Sequence, residues 1–450
     1  MKVNGIIAEY NPFHNGHLYQ LQESARLTES DYTVIVMSGN FVQRGAPALA
    51  DKRVRTEAAL RCGADLILEL PVLYAAASAE FFAAGAVALL DRLGVVTHLC
   101  FGSECGDGEK LGEIAGILSE EPPPYRAALK ASLRQGCPYP AARAQALNAS
   151  LHSGTYPDAH PELSGDLECI VSSPNNILGI EYIRALRRRS SAILPVTVRR
   201  LGAGYHDAGL PEDIPSPGNA CSALALRQAM YQGESLVQLA AHMPREASAV
   251  LAEYLNAQKP LRPDDFSSVL YYRLMMEEMH SMEEEHMEEG HSMEKRHSRK
   301  KAAGYEKYLD MSPELSDRIR NQLRFYTGFE SFCDVLKTKN MTYTRISRCL
   351  LHILLGIEKD DMELGKKLDY TPYARVLGFR RSAAPLLGAV KEHADIPLVT
   401  SVPDARKSLS AEANRLLELD IFASRLYREI ARADSRHPPL NEISTSPIIL

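Results

Sequence analysis

The chain has 450 residues, 45% of them hydrophobic and 24% charged, with a formal net charge of −6 at pH 7. That length predicts more than one domain, and the acidic balance excludes a uniformly basic nucleic-acid coat while leaving room for a local basic patch. No stretch approaches the ~20 consecutive apolar residues of a membrane helix, and the opening residues run straight into a strand-like segment without signal-peptide anatomy, so a cytoplasmic protein without membrane attachment is expected. None of the eight cysteines forms a CxxC pair, and they read as reduced thiols.

The first hundred residues alternate strand-like and helix-like segments. Residues 3–9 form a short apolar run, and residues 16–27 suit a helix. Residues 32–37 form a second β-rich run, and residues 50–60 a helix. A third strand is predicted over 65–70, a helix over 78–93 and a fourth strand over 97–102. Such alternation implies βαβ units and a parallel sheet, and nearly continuous apolar strands imply helices on both faces. A looser stretch spans about 120–165. The pattern then resumes with a helix over 176–189, a fifth strand over 193–198, a Pro-rich loop over 211–217 and a helix over 220–230.

From about residue 235 the β signal fades. Helices are predicted over 236–255, 313–326, 347–355 and 411–431. The expected organisation is therefore a Rossmann-like doubly wound domain over 1–234 and a mostly α-helical domain over 235–450. Residues 275–301 stand apart, with HSMEE-like near-repeats, eight acidic and five basic residues and few core-forming side chains. They read as a solvated insertion or an extended charged helix. Within them His280, His286, His291 and His297 are spaced by six, five and six. That spacing shares no helix face, so no metal site is expected there.

The densest chemical signal is EYNPFHNGH, residues 9–17, where the first strand ends and the first helix begins. In a doubly wound sheet this is the ligand-binding edge. A helix start offers free amides and a positive dipole end to an anion, and Gly16 permits a close approach. His14 and His17, three apart, can face the same way. Two imidazole donors beside a triphosphate would stabilise the charge that builds as pyrophosphate leaves.

That segment resembles the HIGH-type motif of the nucleotidylyltransferase superfamily. With SGNFVQRGAPALADKRVRTEAAL (38–60), GADLILELP (63–71), FGSE (101–104), NNILGIEYIRAL (175–186) and GAGYHD (202–207), the chain resembles the bacterial tRNA(Met) cytidine acetate ligase family nearly throughout. The resemblance implies an enzyme that activates acetate with ATP as acetyl-adenylate and acetylates the wobble cytidine of elongator tRNA(Met), with magnesium expected and without acetyl-CoA. It implies catalytic His14 and His17. It also implies an ATP site comprising Ile7, Ala8, Glu9, Tyr10, Asn11, Pro12, Phe13, His14, Asn15, Gly16, His17, Leu18, Tyr19, Gln20, Gly102, Asn175 and Arg200.

On the residues alone the outer members keep plainer readings. Gly102 suits a turn, Asn175 a helix cap, and Arg200 a pair with a surface carboxylate. Arg44, Lys52, Arg53 and Arg55 read equally as a mobile basic loop or a solvated helix face. Ser222 reads as a cap, with Arg227 a further phosphate candidate. In the second half, Lys337, Lys339, Arg345 and Arg348 surround Tyr343 without an acidic residue among them. They fit either a solvated face or phosphate contacts with an aromatic for stacking on tRNA, which Arg375, Arg380 and Arg381 would extend. A small-molecule adenylyltransferase making a dinucleotide-type product is the alternative activity.

Overall fold

A computed structural model describes residues 1–137, 139–153, 163–200, 221–289, 304–432 and 440–450. The elements that place the site are β1 (Val3–Ala8), α1 (Asn15–Thr28), β2 (Tyr32–Ser38), α2 (Lys52–Arg61), β3 (Leu66–Leu70), α3 (Ala79–Arg92), β4 (His98–Ser103), α4 (Pro174–Arg189) and β5 (Leu194–Arg199). Three more strands follow: β6 (Ala374–Phe379), β7 (Leu398–Val399) and β8 (Ile448–Ile449). The sheet runs β8-β6-β3-β2-β1-β4-β5, with β7 also paired to β6. Ile6 of β1 sits between Ile35 of β2 and Cys100 of β4, all parallel. Val34, Ile35, Val36 and Met37 are fully buried, as expected of a parallel strand covered on both faces. The Rossmann-like expectation is met.

The helical segments expected in the second half are there, but the boundary at 234 does not divide the sheet. β6 pairs antiparallel with β3, Leu66 opposite Phe379 and Glu69 opposite Arg375. The β signal of ARVLGF was hidden by Arg375 and Gly378. Arg375 is nonetheless buried, because it meets Glu69 at 3.1 Å and Glu442 at 2.5 Å. It belongs to a buried ionic cluster in which Lys52 contacts Glu69 at 2.7 Å and Glu442 at 2.6 Å, and Arg428 contacts Asp51 and Glu442. Burial alone would raise the Glu442 carboxyl, but Lys52, Arg375 and Arg428 hold it down to about 2.

Other expectations change. The looser stretch holds helices Pro123–Arg134, Tyr139–Leu151 and Leu163–Ser172. Its prolines opened the first of these, where the missing N–H costs nothing. The helix expected over 236–255 is interrupted at Met243 and Pro244 and restarts as Arg245–Ala257. The helix expected from 347 starts at Tyr343, capped by Thr342, which accepts the Arg345 N–H at 3.4 Å.

Of the two readings of 275–301, the extended helix holds at its start and the solvated insertion does not. Helix Ser267–Glu289 runs into it, and Glu277 is 4% exposed. Its carboxylate accepts the Tyr308 hydroxyl at 2.5 Å and meets Lys307 at 2.7 Å. Residues 290–301 lie outside the described residues, as do the 211–217 loop and the GAGYHD motif. No described helix is long and apolar enough to cross a membrane, and all eight cysteines are free.

Candidate active site

The turn between β1 and α1 is built from inward anchors and outward polar groups. Tyr10, at φ 49°, and Phe13 are buried with ring centroids 4.6 Å apart. They pack in the same core as Ile6, Leu21 and Met37. Asn11 accepts the Leu49 N–H at 2.7 Å, and Glu9 accepts the Gln43 N–H at 2.9 Å. Arg55, fully enclosed, donates to the Glu9 carbonyl at 2.7 Å, the Ser38 carbonyl at 3.0 Å and the Gly39 carbonyl. The loop over 38–51 is thus a scaffold beneath the turn. Lys52 and Arg55 are neither on a mobile loop nor on a solvated face, because each is at most 2% exposed.

His14 caps α1. Its Nδ1 accepts the Gly16 N–H at 3.0 Å, and the His17 Nδ1 accepts the His14 N–H at 3.3 Å. The rings stack with centroids 3.8 Å apart. A neutral imidazole carries one proton. With both Nδ1 atoms accepting, both protons sit on Nε2. Burial first, then the Arg200 and Arg227 charges, lowers His14 to about 3. Burial, His14 and Arg200 likewise hold His17 well below the ordinary imidazole value. At neutral pH the pair therefore presents two uncharged Nε2–H donors beside cationic side chains.

Arg200 follows β5. Its N–H donates to the Ser103 carbonyl at 3.0 Å, and its side chain lies over Gly102, where an added Cβ would meet its Cγ at 3.5 Å. That is ordinary contact, so the turn itself does not demand glycine. Arg227 donates to the Asn11 carbonyl at 2.6 Å, while Ser222 caps its helix by accepting the Ala225 N–H at 3.0 Å. Asn175, in the first turn of α4, donates Nδ2 at 2.6 Å to Glu104, which stands two residues beyond Gly102. His14, His17, Gly102, Arg200 and Arg227 thus gather on one sheet edge, with Asn175 flanking. Ile7 and Ala8 end β1, and Leu18, Tyr19 and Gln20 continue α1, all three half-buried. Asn15 fastens α1 to the Ala241 carbonyl at 2.9 Å.

Sequence reasoning missed Glu104, Asn176 and the Asn15 contact. Asn176 is 1% exposed and accepts the Ser103 hydroxyl at 2.7 Å. The doubled Asn of NNILGIEYIRAL was the available signal.

The second-half cations lie elsewhere. Lys337 and Lys339 are exposed, and Arg345 and Arg348 half-buried. Arg348 meets Asp310 at 3.5 Å. Tyr343 packs against the core instead of standing free. Arg375 is in the ionic cluster and cannot extend a surface. The helix carrying Arg348 nevertheless reaches the turn's scaffold: Ser347 donates to the Gly45 carbonyl at 2.9 Å. At Gly45, φ +78°, a Cβ would fall 2.4 Å from the Arg348 nitrogen. Among the described residues no group of three His, Cys, Asp or Glu side chains could hold a metal ion.

A HIGH nucleotidyl transferase family model matches residues 1–439. The chain is 38% identical over 432 residues to the tRNA(Met) cytidine acetate ligase of Acetivibrio thermocellus, covering 95% of this chain and 94% of that one. It is 37% identical over 447 residues to the protein of that name from Caldanaerobacter subterraneus subsp. tengcongensis, covering 97% and 99%. Crystal structures of Thermotoga maritima TmcAL match over 100% of both chains. The form bound with alpha-thio ATP has a TM-score of 0.84 at 30% identity, and the apo form 0.85 at 31%.

Proposed function

Because this chain belongs to the HIGH nucleotidyl transferase family and, within it, to the tRNA(Met) cytidine acetate ligases, we propose that it forms acetyl-adenylate from acetate and ATP. It then transfers the acetyl group to the exocyclic amine of the wobble cytidine of elongator tRNA(Met), giving N(4)-acetylcytidine. The observation that carries this reading is the stacked, neutral His14–His17 pair, with both Nε2–H donors beside Arg200 and Arg227.

Acetate is ionised at neutral pH and needs no general base. Its oxygen attacks the α-phosphorus, the bond to the β-phosphate breaks, and pyrophosphate leaves with the electron pair. Neutral donors and fixed guanidinium charges stabilise the negative charge that spreads over the phosphates. In the second step the cytidine amine attacks the acyl carbon, AMP departs and the amine loses a proton. No residue forms a covalent intermediate. Tyr10 and Phe13 face the core, so those positions meet ATP through backbone. Gly102 and Asn175 take the nucleoside side. Magnesium would enter with the triphosphate and supply further neutralisation of its charge. Lys337, Lys339, Arg345 and Arg348 contact tRNA phosphates, and the contact between Ser347 and Gly45 supports a path from that surface to the turn. The substrates place the enzyme in the cytoplasm, and acetyl-CoA is not the donor.

ATP–pyrophosphate exchange across a panel of small carboxylates tests the proposal. Exchange that depends on acetate is expected. Exchange indifferent to acetate, or requiring a mononucleotide acceptor, would favour a dinucleotide-forming adenylyltransferase.

A further inference from the structure

Glu104 stands one residue past the end of β4 and turns its carboxylate onto the N-terminus of α4. Oε1 accepts the Asn175 side-chain amide N–H at 2.6 Å and its backbone N–H at 3.3 Å, and Oε2 accepts the Asn176 N–H at 3.0 Å. Asn176 answers in the other direction: its buried Oδ1 accepts the Ser103 hydroxyl at 2.7 Å and the Glu104 N–H at 3.0 Å. Strand end and helix start are clamped reciprocally.

Two consequences follow from the donor inventory. A carboxylate only accepts, so the Asn175 amide is locked with Nδ2 toward Glu104 and Oδ1 turned away from it. Among the described residues none is seen donating to that Oδ1. The amides and positive dipole end of α4 also already carry an anion. A phosphate is repelled there, whereas α1 is capped by a neutral imidazole beside Arg200 and Arg227.

We propose that Glu104 is a positioning residue that holds Asn175 Oδ1 as the acceptor for a hydrogen-bond donor on the nucleoside half of ATP. That donor is a ribose hydroxyl or the adenine 6-amino group. The same carboxylate sets the direction of the nucleotide, nucleoside toward α4 and triphosphate toward α1. This rests on the ATP-site reading above and adds to it a residue that touches no substrate.

The test is pyrophosphate exchange by the full chain with ATP, 2′-deoxyATP, 3′-deoxyATP and inosine triphosphate, each analogue lacking one candidate donor. The unaltered protein should discriminate against one analogue by about fivefold in kcat/KM, the value of one neutral hydrogen bond. In Glu104→Ala that discrimination should collapse toward unity, with KM for ATP raised and kcat nearly kept. Glu104→Gln retains an acceptor for Nδ2 and should fall between. If Glu104→Ala does not fold, Asn175→Ala carries the same comparison, with Glu104→Gln beside it. Full discrimination in the Glu104 variants, or no discrimination against any analogue by the unaltered protein, would overturn the inference while leaving the proposed function intact. Absence of any acetate-dependent exchange with ATP would instead overturn the function on which it rests.

Discussion

Replacing His14 by Asn separates two jobs that Ala removes together. The ring caps α1 through Nδ1 and offers a donor through Nε2. Asn is among the best N-cap residues, so it keeps an acceptor for the Gly16 N–H; Ala loses the cap, at a cost of about 1 kcal/mol. In a chain this long that is a loss of roughly 1–2 °C in Tm, since the shift per kcal/mol shrinks with size. Neither residue returns a donor to where Nε2–H stood. Losing one donor to developing charge costs about 3 kcal/mol, roughly a hundredfold in rate. The expected pattern is that His14→Asn melts like the unaltered protein and His14→Ala slightly below it, while acetate-dependent exchange falls about equally in both. Differential scanning fluorimetry and exchange kinetics read the two axes. Near-normal exchange by His14→Asn would refute the catalytic assignment and reduce the ring to a cap.

Acid stability follows from the same pair. An unfolded His titrates near 6.5, and folded His14 near 3, so below pH 6.5 the unfolded chain binds more protons than the native one. Stability is untouched above pH 7 and falls as pH drops below 6.5, by up to ~1.4 kcal/mol per pH unit for each such His until the folded value is reached; urea melts of His14→Asn/His17→Asn should show a shallower decline between pH 6.5 and 5, and an identical slope refutes the neutral pair. Glu277→Ala should destabilise by roughly 1–3 kcal/mol, moderated because Lys307 is part exposed, and an unchanged melt would return this residue to the solvated segment. Changing exposed Lys337 and Lys339 to Ser should flatten the log–log salt slope of tRNA binding by roughly 0.7–0.9 per contact while leaving exchange intact; an unchanged slope would make them a solvated face.

Contiguous signals were the legible ones. β1 through β5 are apolar runs of local origin, and His14, Gly16 and His17 sit in one nine-residue string. What stayed hidden depends on distant partners. Arg375 reads as a surface cation until Glu69 and Glu442 appear beside it. Glu277 reads as one acid among eight until Lys307 and Tyr308 close on it. Lys52 and Arg55 read equally as loop cations or as a solvated helix face, because charge is normally at the surface; here carboxylates and strand-end carbonyls take up their donors. Arg227 was visible as a candidate, yet only its reach to the Asn11 carbonyl places it at the turn. Periodicity reports which face of an element is buried, and says nothing of an ion pair closed across hundreds of residues.

Lys52 and Glu442 are 390 residues apart in the chain. A ribosome adding roughly 5–20 residues per second needs about 20–80 s to cover that distance. For most of that interval the amino-terminal strands exist without β6 at their edge, and for all of it Lys52 lacks one of its two carboxylates. A nascent chain in that state would have to bury an ammonium with half its compensation, which favours leaving the helix undocked. The scaffold beneath the β1–α1 turn, which Arg55 of the same helix fastens to the Glu9 carbonyl, therefore gains its full set of ionic partners only once residue 442 has been made.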